Sequence, residues 1–408
     1  MKAEQRPVQT LLYAVYFIYF FCGMTQCFEG VFLPEFKEYF QLNYQQQMYT
    51  MFAKNIPFVL AVGIGFVVKR AGYKNCMTLA MALFGLGTLV LIPGLQSHSY
   101  ALVLAGFFLI GVGFNCELVA GNPMLSALGP EKDASSRLNL GNALGAVAQI
   151  IAPATLSFII PITVITVQGK LPYMQALFAL LGGTLLIVAI VTAFMRNVDI
   201  AASFSNTESA ENANAGSIWT NVHLLWGFAV IFLTLGVEAG LFSFYRNYLE
   251  DPSIAGFTAH QSQRMFTIFF ALFALGRLSG AWMQKKMRPA LHLLLCLGAA
   301  TVCLGVMVIA KGSVAAATIT GVGFFVSIFF PTLYAVAIKG MGERTGQASG
   351  LLTMGFVGCA TLPVLQGWLA DTIGLQHSFV LGIAAYLLAA LYAFKSYRER
   401  GLVAAFAE

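Results

Sequence analysis

The sequence predicts an all-α membrane protein: twelve transmembrane helices in two six-helix pseudo-repeat halves, with both termini cytoplasmic. Three observations carry that reading. Hydrophobic residues make up 58% of the 408-residue chain and charged residues only 10%, whereas a soluble domain carries about 25% charged residues. Apolar segments long enough to cross a bilayer recur along the whole chain. A single long polar stretch near the middle divides them six and six.

A hydrocarbon core about 30 Å thick takes about 20 helical residues, because a helix satisfies its backbone polar groups within itself. Such spans fall at 9–33, 47–68, 76–96, 99–121, 137–161 and 173–195, then at 218–248, 261–283, 290–310, 313–338, 346–370 and 376–396. The first follows Met1-Lys2-Ala3 with no small-residue cleavage site, so it reads as a retained membrane helix. The fourth is expected to close at Asn122-Pro123-Met124-Leu125. Between the sixth and seventh, Asn197 to Ser217 contains SFSNTESAENANAGS, a composition typical of a flexible linker. The organisation is therefore 1–196 as an N-terminal half, 197–217 as a cytoplasmic linker and 218–408 as a C-terminal half.

Charge placement orients the chain. With both ends inside, sixteen of the 23 Lys and Arg fall in inner loops and tails, five at the outer rim, and Lys54 and Arg277 within helices. That asymmetry obeys the positive-inside rule. The net charge of +6 is not gathered into a stripe or arm, so it does not point to nucleic acid. The seven cysteines all lie in apolar stretches without CxxC or Cys/His spacing, which is the pattern of buried thiols. The halves also echo each other. Pro123 and Pro331 are 208 residues apart, and Glu29 shifted by the same interval lands beside Glu238. Parallel repeats of this kind place a transporter's site at the midplane between halves.

An ionised side chain at the centre of a membrane helix costs at least about 2.5 to 3.5 kcal/mol. Four residues stand out on that ground: Glu29 (helix 1), Lys54 (helix 2), Glu117 (helix 4) and Glu238 (helix 7). Glu29 and Lys54 fall at similar depth, which leaves two readings open. They form a structural ion pair, or Lys54 binds an anionic or hydroxyl-rich solute while Glu29 titrates or accepts its hydroxyls. Glu117 is flanked by Asn115 and Asn122, on a stretch whose Gly111, Gly113 and Gly121 permit close helix approach. A carboxyl there is suited to take a proton on one side of the membrane and release it on the other. Glu238 is expected to line a cavity, with Phe242 and Tyr245 as stacking surfaces for a sugar ring. His223 opens helix 7 at the rim, and Asp371 is expected to cap helix 11 or pair locally.

ELVAGNPMLSALGPEKDASSRLNLGNALG from Glu117, GRLSGAWMQKKMRPALHL from Gly276 and FFPTLYAVAIKGMG from Phe329 resemble the fucose-galactose-glucose permease branch of the major facilitator superfamily. GFVVKRAGYK from Gly65 carries Lys69 where most of the superfamily has Asp, a departure that branch shares. The resemblance covers nearly the whole chain. It implies a proton-coupled sugar importer of the bacterial inner membrane, working by alternating access, with Glu117 at the branch's helix 4 carboxylate. Counting back from Pro34, Glu29 and Gly30 stand where the fucose carrier has an Asn-Asp pair, so the carboxylate is displaced by one residue, about 100° of helix. In helix 5, Asn142 stands for a Gln and Gly145 for an Asn. These changes argue against L-fucose as the solute.

The expectation is a secondary transporter of a monosaccharide or sugar-like solute, acting as a monomer in the lipid bilayer without a cofactor. Glu117 and Glu29 are its proton-coupling groups. Glu29, Lys54, Asn115, Glu117, Asn122, Asn142, Glu238, Phe242 and Tyr245 are its substrate contacts. Sodium coupling, uniport or export remain alternatives, as does an acidic or amino sugar, another metabolite or a drug. No metal-ligand set, nucleophile and base pair or phosphate-cradling loop supports an enzyme, and the linker and tails are too short for a sensor's signalling domain.

Overall fold

A computed structural model of the chain describes residues 2–128, 134–161, 166–195, 218–284, 286–338 and 345–405. The linker expected at 197–217 lies outside the described residues. Among them the secondary structure is helical, without strands. Twelve elements match the expected spans: α1 (Lys2–Tyr39), α2, α3 (Tyr73–Gln96), α4 (Tyr100–Ala127), α5 (Ala134–Ile159), α6 (Val167–Phe194), α7 (Val222–Glu250), α8 (Ala259–Met283), α9 (Pro289–Ile309), α10, α11 and α12 (Val380–Ala405). Three are broken. α2 runs as Tyr49–Asn55, a 3₁₀ turn Ile56–Leu60 and Ala61–Ala71; α10 as Gly312–Val326 and Phe329–Ile338; α11 as Thr345–Thr353, a 3₁₀ turn Met354–Val357 and Gly358–Ile373.

Nine of the described helices are long and apolar enough by themselves to cross a bilayer. Among the other elements, α2 and α8 fall short for local reasons. Pro57, which has no N–H to donate, opens the 3₁₀ turn that interrupts α2. α5 includes the apolar stretch Ala143–Leu156, and α8 carries Gln261, Gln263, Arg264 and Arg277. The fourth helix runs through Pro123 and ends at Ala127, two residues past the Asn122-Pro123-Met124-Leu125 string expected to close it. A proline forfeits one ladder bond, which membrane helices tolerate where neighbours or local adjustment satisfy the freed carbonyl.

The ends are set by caps. Ser99, Thr166, Asn221 and Thr258 accept from the first-turn N–H groups of α4, α6, α7 and α8, and Thr258 with Gln261 forms a reciprocal capping box. At the other end of α4, buried Arg137 of α5 donates from Nε to the Leu125 carbonyl at 2.9 Å.

The chain divides into two compact units, one of Met1–Gln41 with Tyr49–Ala213, the other of Leu42–Met48 with Asn214–Glu408. Each repeats one scheme of helix neighbours. In the first unit α1 packs on α5, α2 on α4, and α3 on both α4 and α6. In the second, α7 packs on α11, α8 on α10, and α9 on both α10 and α12. Leu42–Met48, which the sequence places in the first half, packs with the second unit: the short helix Tyr44–Gln47 lies against α11.

Candidate functional site

In the first unit, α4 carries the polar cluster and α1 and α2 frame it. Gly111 sets the depth of α2, since a Cβ there would sit inside the Lys54 carbonyl. The close approach expected of Gly113 and Gly121 is also present: a Cβ would stand 2.8 Å from the Ala80 carbonyl oxygen at the first and 2.9 Å from the Tyr19 hydroxyl oxygen at the second. Tyr19 therefore reaches across α4 and donates to Asn122 Oδ1 at 2.8 Å. Asn115 is buried, and its Nδ2 donates to the Pro57 carbonyl at 2.6 Å, so it closes the break in α2.

Glu117 is 2% exposed. Among the described residues it has no hydrogen-bond or ion-pair partner; Tyr19 and Cys22 of α1 are within electrostatic reach of its carboxyl. Lys54 is buried with its ammonium 5.9 Å from the centre of the Phe114 ring. The side chains of Glu29 and Asn142 lie outside the described residues. Nearer the end of α1, buried Glu35 forms an ion pair with part-buried Lys170 at 3.0 Å.

In the second unit, Glu238 on α7 is half-buried and within electrostatic reach of Arg277 on α8 and Tyr386 on α12. Arg277 lies 4.7 Å from the centre of the Phe273 ring, and its Nε donates to the Ser327 carbonyl at 3.2 Å. Ser327 is where α10 breaks, as Pro57 lies in the break of α2. In both units a polar side chain from a neighbouring helix thus takes up a carbonyl that broken helical geometry releases. Phe242 packs in a cluster with Phe269, Phe270 and Phe273. Tyr245 is fully buried, stacked on Phe266 at 4.7 Å, with its hydroxyl 2.6 Å from Thr320 Oγ1. The Tyr386 hydroxyl is buried without a hydrogen-bond partner among the described residues.

Asp371 does not cap its own helix. Its carboxylate accepts from the backbone N–H groups of Tyr44 (2.8 Å) and Gln45 (2.9 Å), at the start of the short helix Tyr44–Gln47.

Sequence reasoning missed three members of these clusters. Arg277 was legible as a lone arginine in an apolar span. Tyr19 and Tyr386 were not, because the chain holds 15 tyrosines and 35 phenylalanines, and nothing local separates a hydroxyl at a site from one in packing.

Residues 15–359 match the family described as Major Facilitator Superfamily. The chain is 29% identical over 393 residues to a protein of Brucella abortus biovar 1 named glucose/galactose transporter, covering 96% of this chain and 95% of the relative. It is 25% identical over 406 residues to the L-fucose-proton symporter of Escherichia coli K12, covering 94% of this chain and 92% of the relative. Among solved structures, that of the superfamily transporter FucP in its outward conformation superposes with a TM-score of 0.66 at 19% identity, over 96% of this chain and 99% of that one. An inward-facing bacterial homologue of the human lysosomal transporter Spinster gives a TM-score of 0.71 at 16% identity, over 96% and 97%. These structures share the fold.

Proposed function

The chain belongs to the Major Facilitator Superfamily, and on that premise we propose that it imports a monosaccharide or sugar-like solute together with protons, by alternating access, across a bacterial inner membrane. It is a multi-pass transporter and not an enzyme. The names of the Brucella and E. coli relatives support a sugar and, for the second, proton coupling.

The observation that carries the reading is Glu117, a carboxyl that is 2% exposed and lacks an ion-pair partner among the described residues. A charge held there costs several kcal/mol, and either a bound proton or the hydroxyls of a solute remove that cost. Tyr19 and Asn122 hold a hydroxyl and an amide beside it, groups that recognise sugar hydroxyls. Loading with proton and solute neutralises the carboxyl before the cavity closes around it, and unloading on the other side restores its charge.

Vesicles reconstituted with the purified protein and loaded with a pH dye test this directly. Solute uptake is expected to acidify the lumen and to follow an imposed pH gradient. Uptake that leaves internal pH unchanged and ignores the gradient rejects the mechanism in favour of sodium coupling or uniport. A thermal-shift panel of sugars and sugar acids identifies the solute, since a ligand at 100 times its Kd stabilises by about 2.7 kcal/mol. Lys54 supports a second reading, an acidic sugar. Lys54→Gln then weakens anionic solutes selectively, whereas equal loss for every solute marks Lys54 as structural.

A further inference from the structure

At one end of the second unit, the first turns of α7 and the later turns of α12 enclose a cavity of about 350 Å³. Its walls differ in chemistry. Trp226 and Leu391 at the rim are 50% and 64% exposed, and they continue an exposed apolar face through Leu387, Leu388 and Phe394. In a membrane protein such a face meets acyl chains, and an exposed tryptophan marks the interfacial level.

The floor is polar. His223 Nε2 lies 3.1 Å from the Val336 carbonyl, which only accepts, so this nitrogen carries the proton; the Tyr392 hydroxyl is 3.2 Å away and its ring stacks on the imidazole. Among the described residues, Nδ1 of that ring makes no hydrogen bond. Ser396 also lines the cavity, is 3% exposed, and makes no hydrogen bond among the described residues. Its hydroxyl is free to bond an occupant of the cavity. Lys395 stands exposed at the mouth, and no lining residue is acidic.

We infer that this cavity is a binding site for a phospholipid with an anionic phosphate headgroup. Lys395 and Ser396 hold the phosphate, His223 lies behind it, and the acyl chains lie on the Leu387, Leu391 and Phe394 face. A phosphate ester matches the cation and the hydroxyl, and an apolar tail covers the surface into which the cavity opens. Lys395 begins the basic string KSYRER, and an anionic leaflet attracts basic residues near the membrane surface. The site belongs to α7 and α12 alone, so it is independent of the transport reading.

The test is native mass spectrometry of the full chain released from nanodiscs containing phosphatidylglycerol and phosphatidylcholine in equal amounts. Wild type is expected to retain one phosphatidylglycerol at least fivefold over phosphatidylcholine. Ser396→Ala and Lys395→Gln should each lower that preference at least threefold, while Lys286→Gln, which removes an exposed charge stacked on Trp282, leaves it unchanged. A thermal midpoint in lipid-free detergent that matches wild type shows each variant to be folded. Equal retention of the two lipids, or a loss shared by Lys286→Gln, overturns the site as general attraction to charge. Inorganic phosphate or glycerol phosphate that displaces the lipid at millimolar concentration overturns it in favour of a free-phosphate site.

Discussion

The Tyr19 hydroxyl donates to Asn122 Oδ1 at 2.8 Å, joining α1 to α4 five residues beyond Glu117. The contact exists because Gly121 leaves no side chain in the path of the Tyr19 ring. Tyr19→Phe keeps the ring and removes only the hydroxyl. A neutral hydrogen bond contributes about 1 kcal/mol, so a contact used in solute recognition predicts a rise of about fivefold in transport KM. Initial-rate uptake in vesicles checks it; an unchanged KM with a lowered thermal midpoint assigns the bond to packing.

Glu117→Gln keeps the shape and removes the titratable proton. Uptake driven by a pH gradient is expected to fall at least tenfold. The thermal midpoint is expected to hold or rise, because the substitution removes a group that is costly to bury in ionised form. Accumulation at the wild-type level would exclude Glu117 as the coupling group.

Glu238 and Arg277 form an electrostatic pair. A double-mutant cycle of Glu238→Gln and Arg277→Gln, read by thermal unfolding, should give a coupling of about 0.5 to 3 kcal/mol, as for interacting neighbours. Strict additivity would show that the two charges act independently.

Gly111→Ala drives a methyl group into the Lys54 carbonyl, and neither backbone yields easily. The expected loss is about 1 to 3 kcal/mol, typical of overpacking. Gly63→Ala is the control, because nothing stands within 4 Å of the added carbon, and it should stabilise by about 0.5 to 1 kcal/mol through helix propensity. Thermal midpoints of the two variants are expected to move in opposite directions.

Asp371→Ala removes the acceptor for the Tyr44 and Gln45 amides. Loss of a cap costs about 0.5 to 2 kcal/mol, so those amides should exchange with solvent several-fold faster by hydrogen exchange. The Tyr44 phenol is pushed up to about 12, first by burial and then by the Asp251 and Asp371 carboxylates. Removing one carboxylate should lower that value, visible in an ultraviolet titration.

Part of the site was legible because intramembrane charge is rare. Glu117, Lys54 and Glu238 stand out against apolar neighbours without knowledge of the fold, and Gly111, Gly113 and Gly121 announce close packing by their spacing. Phe242 and Tyr245 show the limit of that reasoning. Both were singled out for proximity to Glu238 in sequence, yet Tyr245 is enclosed by Phe266 and Thr320, a fact about α8 and α10 that no property of α7 encodes.

The sequence by itself determined a membrane protein of twelve spans in two halves, because span length and apolar content are local properties that the bilayer reads segment by segment. The tertiary structure alone decided which polar atoms meet. Tyr19 and Asn122 are 103 residues apart and Asp371 and Tyr44 are 327 apart. Their contacts depend on how far neighbouring helices approach and on how each is rotated about its axis, and those quantities are set by packing summed over whole helices.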